Sequence, residues 1–199
     1  LDRPGSPRLP SRAHRAGDLR AVYVPGPEDA AIRDLTRSRE DAMITHKRAR
    51  QQLGALLLRQ NIRYPGKRAW TQAHQRWLAR ITMPQPVQQI VFQEYLHAVD
   101  EAHQRMERIT EQLRLTVATW RMAPVAGALQ SLRGVSLIAA SCVLAELGDL
   151  TRFDNPRHLM AFLGLVPSQY SSGPRQQMGH ITKTGNSHAR RMLVEAAWA

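Results

Sequence analysis

Two long stretches of apolar residues, spaced three and four apart, constrain the fold of this chain more than any other feature of its sequence. The first runs from 27 to about 61 and follows a seven-residue repeat, with Arg39 and His46 in the same stripe. The second runs from 86 to 121. The pattern predicts two long helices, forming an antiparallel hairpin, a coiled coil between subunits, or a plain helical bundle. The stripe residues are Ile32, Leu35, Ala42, Ala49, Leu53 and Leu56, then Val91, Tyr95, Ala98, Ala102, Met106, Ile109, Leu113, Val117 and Trp120.

Proline, glycine and asparagine mark the ends of the predicted helices. Proline-containing breaks at 63–68 and 83–86 separate a shorter helix from the two long ones. Three more helices are predicted, one stopping at Gly148, one running from Pro156 to Gly164 and one capped by Asn186 or Ser187. No segment alternates as a strand. We therefore predict a mainly α fold, a long helical hairpin or coiled-coil segment followed by a small helical domain.

Composition divides the chain into three parts. Residues 1–25 are rich in proline and arginine and lack an apolar period, so we expect a disordered linker. Residues 26–122 hold the long helices and form the predicted dimerisation region. Residues 123–199 form the predicted C-terminal domain.

Charge and cysteine content limit the possible functions. The net charge of +12 predicts a polyanionic partner, most simply DNA. No apolar run reaches the roughly 20 residues needed to cross a membrane, so we expect no membrane partner and a cytoplasmic, nucleoid-associated protein. Cys142 is the single cysteine, which excludes an intramolecular disulfide and a cysteine zinc cluster. His74, His97 and His103 are interpreted as surface or helix-interface residues, with no metal site.

The segment "LRGVSLIAASCVLAELGD" resembles a helix-hairpin-helix motif. In such a motif, backbone N–H groups of a tight turn and the following helix N-terminus hold a DNA phosphate. The turn residues here are Gly134 and Ser136, where the usual motif has two glycines. The alternative is an ordinary turn between helices.

The segment "SQYSSGPRQQMGHITKTGNSHARR" collects small and basic residues and has no acidic one. We predict nucleic-acid contacts from Gly173, Arg175, Lys183, Arg190 and Arg191. A serine of "QYSSGP" could attack a phosphodiester, with arginines stabilising the developing charge, and His180 could serve as a base. Alternatively the serine pair forms a turn and the histidine is solvated.

Residues 131–198 resemble the C-terminal domain of transposases of the insertion-sequence one-ten family, most specifically in "LGLVPSQYSSG…ITKTGN…RRMLVEAAW". Stretches of the helical middle also look like these bridge-RNA-guided recombinases. The resemblance implies that Ser172, directly before a glycine, is the nucleophile on a DNA phosphodiester, with Ser171 as its neighbour. It also implies a guide RNA and a homo-oligomer, or assembly with a full-length transposase.

The family also has an N-terminal RuvC-like domain whose four acidic residues bind Mg²⁺. Only Asp2 looks like a remnant of these acids, so we expect a truncated chain that holds no cofactor and does not recombine DNA alone. The alternative is a non-catalytic fragment that binds nucleic acid or regulates full-length transposase by dimerising with it.

Overall fold

The computed structural model describes residues 24–172 and 175–199, and Asp2 therefore lies outside the described residues. The described part is mainly helical, as predicted. Its helices are α1 (Pro27–Arg59), α2 (Gln72–Leu78), α3 (Pro86–Thr119), α4 (Ala123–Leu129), α5 (Leu137–Leu147), α6 (Pro156–Phe162) and α7 (Ser187–Trp198), with a 3-10 turn at Leu150–Arg152. Two strands, β1 (Pro167–Ser172) and β2 (Arg175–Ile181), precede α7.

The two long helices, α1 and α3, pack antiparallel within one chain. Near the start of α1, Ile32 shares a core with Leu113 and Val117, which lie near the end of α3. Near the end of α1, Leu53 shares a second core with Phe92 at the start of α3. The predicted hairpin is therefore formed, and its buried face follows most of the predicted stripe because one face of each helix excludes water. Val91 is an exception, because it is 39% exposed whereas the neighbouring Phe92 is fully buried.

The polar residues of the stripe pair with the opposite helix. Arg39 Nε donates to Thr110 Oγ1 at 3.0 Å, and the rings of His46 and His103 lie 5.1 Å apart. Arg39 thus has a hydrogen-bond partner on α3, whereas His46 has only a ring contact, and burial lowers the pKa of both side chains.

Asp29 joins the start of α1 to the residues that follow α3, at the end of the hairpin where the two helices are not directly connected. Its side chain is fully buried in the first turn of α1 and accepts from Trp120 Nε1 at 2.9 Å. The guanidinium of Arg121 pairs with the same carboxylate. A carboxylate in the first turn also complements the helix dipole.

Helix α5 joins the hairpin to the C-terminal unit. It is mostly apolar, with Glu146 as its one charged residue, as expected of a helix that is largely buried. One face, with Ala140 and Leu144, packs against Ile32 and Leu113. The other face, with Val143 and Leu147, packs on α6 and α7. The core therefore continues across the predicted boundary at residue 123.

The prediction that the chain has no strands was wrong. Strands β1 and β2 form an antiparallel hairpin in which Tyr170 pairs with Gln177 and Ser172 with Arg175. The side chains of Tyr170 and Met178 are largely exposed, at 73% and 63%. None of the hairpin side chains that the structure describes is buried, so the sequence has no apolar alternation, and the period-two signal was missing.

None of the described helices is both long enough and apolar enough to cross a membrane.

Candidate nucleic-acid interface

Ser172 is the last residue of strand β1, and its Cα pairs with that of Arg175, the first residue of β2. Ser171 pairs with Gln176. The side chains of Ser171, Ser172 and Arg175, and the whole of Gly173, lie outside the described residues. The backbone nevertheless places Ser172 at the end of the hairpin where the chain passes from β1 to β2.

The base of this hairpin is held by a network around Arg190. Arg190 Nη1 donates to the carbonyl oxygens of Leu163 and Thr184, at 2.8 and 2.9 Å. The Lys183 N–H donates to the Gly164 carbonyl at 3.1 Å. Gly185 has a φ of +76°, and a Cβ there would collide with the Phe162 carbonyl, so only glycine lets the loop approach α6 this closely. Arg190 was predicted to contact nucleic acid; here its hydrogen bonds position the hairpin.

Lys183 differs from the other described cations of this segment. It is exposed, and its φ of +56° puts it in the left-handed region, which non-glycine residues adopt uncommonly. Arg191, by contrast, pairs with Glu40 of α1 and with Glu195 of α7. Lys183 therefore keeps its charge available to a partner, whereas the charge of Arg191 is compensated within the chain.

Glu146 is the centre of a charged cluster that the sequence analysis missed. Its carboxylate is 1% exposed and receives Arg37 Nε at 2.8 Å and Arg37 Nη2 at 3.0 Å. Asn186 Nδ2 donates to it at 2.6 Å. An acidic residue inside the apolar run of α5 was the one available signal, since a buried carboxylate needs partners. The cluster joins α1, α5 and the N-terminus of α7.

His188 links the two carboxylates of this cluster. Its Nε2 lies 2.7 Å from Glu40 Oε2, and its Nδ1 lies 3.4 Å from Glu146 Oε1. Cys142 Sγ lies 3.0 Å from the same Nε2. Burial raises the pKa of the Cys142 thiol to about 12, so the thiol stays protonated and is not a nucleophile at neutral pH.

The two carboxylates are held in their charged form. Burial acts to raise the pKa of Glu146, but hydrogen bonds from Arg37 and Asn186 outweigh it, and the pKa lies below its ordinary value. The hydrogen bond from Arg191 lowers the pKa of Glu40. The cluster is thus an ion-pair network at neutral pH.

The predicted helix-hairpin-helix turn lies against α7. Gly134 has a φ of +82°, and a Cβ there would collide with the Ala196 carbonyl. Ser136 caps α5, since its hydroxyl accepts from the Ala139 N–H at 3.2 Å. Close backbone approach at Gly134 therefore serves helix packing, and phosphate binding by Gly134 and Ser136 stays a prediction.

The histidines of the described residues differ in burial. His97, His103 and His180 are exposed, but His74 is buried, edge-on to the Tyr64 ring at 4.7 Å. In the ranges 24–172 and 175–199, no three histidine, cysteine or acidic side chains are placed to hold a metal ion. The described residues therefore do not fit a magnesium site of their own, and we derive no step through one.

Comparison with known proteins identifies relatives of both parts of the fold. Residues 126–199 match the family model described as Transposase IS116/IS110/IS902 family. The putative transposase y4qE of Sinorhizobium fredii is 44% identical over 188 residues, 94% of this chain and 45% of that protein. The transposase for insertion sequence element IS1533 of Leptospira borgpetersenii is 27% identical over 176 residues, 87% of this chain and 51% of that protein. This chain thus spans about half the length of these two curated relatives.

A third relative matches a shorter stretch of the chain. The transposase for insertion sequence element IS1111A of Coxiella burnetii is 42% identical over 71 residues, 36% of this chain and 20% of that protein. The similarity is therefore spread over the hairpin and the C-terminal unit in some relatives and confined to a shorter stretch in others.

Proposed function

Because the chain belongs to the IS116/IS110/IS902 family of transposases, we propose that it supplies the serine part of a DNA-recombining site, with Ser172 as the nucleophile. The observation that carries the proposal is the position of Ser172 where the chain passes from β1 to β2, at the end of a hairpin whose described side chains are not buried. The base of that hairpin is fixed by Arg190. A nucleophile that must reach a phosphodiester inside a duplex needs an accessible position on a rigid support.

The proposed reaction keeps the number of phosphate ester bonds constant at each step. The Ser172 oxygen attacks a DNA phosphorus, loses its proton and forms a phosphoserine link, while the broken P–O bond releases a DNA hydroxyl that takes up a proton. A hydroxyl of a second DNA end then attacks the same phosphorus and releases the serine. No bond is hydrolysed, so no nucleotide triphosphate is needed for joining.

Charge supports DNA as the partner. The chain has an excess of twelve positive charges, and Lys183 near the hairpin base is exposed. Contacts to phosphates release counterions, so we expect the DNA affinity to fall steeply as salt rises. Fluorescence anisotropy of a labelled duplex over a salt series measures this slope. A slope near zero would contradict a phosphate-dominated contact.

A covalent adduct tests the nucleophile. The chain is mixed with labelled insertion-sequence end DNA, Mg²⁺ and a full-length family transposase whose own serine is replaced by alanine. The partner then supplies the acidic domain, and any protein–DNA adduct on a denaturing gel must come from this chain.

Ser171→Ala is the matched control for Ser172→Ala, because the two serines are neighbours in the same strand. We expect the wild-type chain and Ser171→Ala to form the adduct and Ser172→Ala to form none. An adduct with Ser172→Ala, or none with the wild-type chain, would refute the assignment. A second reaction contains this chain, the DNA and Mg²⁺ without the full-length partner, and we expect no recombination in it.

A second candidate function is regulation of full-length transposase through the helical hairpin. Its closed end exposes large apolar side chains, namely Leu58 at 62%, Val87 at 71% and Ile90 at 63%. Such a patch favours association between subunits. Mixed dimers detected by light scattering, and their loss in Ile90→Glu, would support this role, which does not need Ser172.

A further inference from the structure

A cleft of about 500 Å³ opens beside the closed end of the helical hairpin, between α1, α2 and α3. We call it the Trp70 cleft. Its polar walls are His46, Arg50, Trp70, Gln75, Asp100 and His103, and Leu78 and Val99 are among its apolar lining. The volume is in the range of small-ligand sites. None of these residues belongs to the serine hairpin or to the Glu146 cluster.

Arg50 presents an unused donor in this cleft. Its guanidinium lies 4.6 Å from the centroid of the Trp70 ring, stacked over the ring. Its Nε is buried and, among the described residues, has no hydrogen-bond partner. Leaving a buried donor unpaired is costly. A guanidinium that is stacked on a ring and lines a cleft suits a phosphate.

Trp70 is held in an uncommon conformation. Its φ is +64°, a left-handed value that a bulky residue rarely adopts. The His74 ring lies 5.2 Å from it, and His74 in turn contacts Tyr64 and Trp77. Strain of this kind persists only where the surroundings enforce it, and it concentrates at ligand sites. The aromatic cluster therefore fixes the indole at the mouth of the cleft.

Two histidines add flat surface to the opposite wall. The rings of His46 and His103 lie 5.1 Å apart, and His103 is exposed. Asp100 is the acidic member of the wall, and its carboxylate accepts from Gln104 Nε2 at 2.6 Å. The cleft thus combines aromatic faces with one guanidinium, that of Arg50, and one carboxylate, that of Asp100.

We propose that the Trp70 cleft binds a nucleotide, with the base stacked on the aromatic wall and the phosphate on Arg50. Aromatic rings interleaved with arginine are the recurring way in which proteins hold unpaired bases. The cleft is separate from the serine hairpin, since Arg50 lies about 27 Å along α1 from Ile32, where α5 packs. The ligand is either a free nucleotide or an unpaired residue of a single strand, and the chemistry of the site is the same for both.

The test uses the whole chain and a short oligodeoxyadenylate that carries one 2-aminopurine, whose fluorescence falls when the base stacks. We expect quenching with the wild-type chain and a loss of affinity of about tenfold in Arg50→Gln and in Trp70→Leu. Arg108→Gln is the matched control, because it removes the same charge from an exposed position of α3 outside the cleft. We expect its affinity to stay within about threefold of the wild type.

Competition by adenosine monophosphate distinguishes the two sources. Displacement of the oligonucleotide at comparable concentration indicates a free nucleotide, whereas displacement only by single strands indicates an unpaired residue of a nucleic acid. Ser172 does not line the cleft, so failure of the covalent-adduct test leaves this proposal standing.

Circular dichroism checks that each variant is folded. If Trp70→Leu unfolds, the comparison of Arg50→Gln with the wild type and with Arg108→Gln still tests the proposal. Two results would overturn the proposal. One is equal affinity and equal quenching in the wild type and Arg50→Gln. The other is quenching that Arg50→Gln and Arg108→Gln reduce to the same extent, which would indicate charge attraction without a site.

Discussion

Replacing Glu146 by glutamine should destabilise the whole fold, because three elements meet at this carboxylate. The change keeps the side-chain volume and one acceptor oxygen, so it leaves no cavity. It removes the negative charge and places an amide N–H₂ against the donors of Arg37 and Asn186, which now lie 2.8 and 2.6 Å from the carboxylate.

The magnitude follows from the exposure of the partners. Breaking a buried ion pair by removing one partner costs about 3–5 kcal/mol. Glu146 is 1% exposed, but the Arg37 side chain is 52% exposed and regains water when the charge is lost. His188, at 15% exposed, regains much less. We therefore expect the free energy of unfolding to fall by about 2–3 kcal/mol at neutral pH.

Urea denaturation followed by far-ultraviolet circular dichroism measures this loss. Glu111→Gln is the control, because Glu111 forms an exposed pair with Arg114 at 3.8 Å, which contributes about 0.5 kcal/mol or less. If Glu146→Gln and Glu111→Gln lose the same free energy, the cluster does not hold the C-terminal unit on the hairpin and the reasoning is wrong.

Three further predictions concern the pH dependence of Glu146, the packing at Gly134 and the charge of Lys183. The pKa of Glu146 is lower in the folded protein than in the unfolded chain, so the ionised carboxylate stabilises the fold above the pKa of the unfolded carboxyl. We expect this stabilisation to be lost as pH falls below about 4.5 through the folded pKa. Urea titrations at several pH values should show a flatter dependence of unfolding free energy on pH in Glu146→Gln than in the wild type. Gly134→Ala should cost about 2 kcal/mol or more, whereas Gly127→Ala, with open space around its Cβ position, should gain about 0.5–1 kcal/mol; thermal melts compare them. Lys183→Gln should weaken duplex binding and flatten its salt dependence with little change in stability, while Arg191→Gln should lower the unfolding free energy; the opposite pattern would contradict the assignment.

The helices were predictable from sequence because burial imposes a period. Leu53 and Leu113 are buried where the three-and-four spacing places them, and Asn186 caps α7 through its side chain, as expected of that residue type. The β-hairpin and the Glu146 cluster were not predictable in the same way. Tyr170 and its neighbours carry no apolar alternation, and the Glu146 ion pair joins residues 109 apart in the chain, which no local pattern encodes.

The basic residues that follow the serine hairpin differ in how far their charge is available to a partner. Arg190 and Arg191 follow the serine hairpin and look like phosphate ligands, but carbonyls and a carboxylate of the same chain hold them. Pairing Arg191 with Glu40 leaves the net charge unchanged, whereas Arg190 is held by neutral carbonyls and still contributes to the excess of +12. Lys183 and Arg108 are two described cations that are exposed. In the proposed function, Arg190 and Arg191 therefore position the hairpin, and the exposed cations supply the long-range attraction to a polyanion.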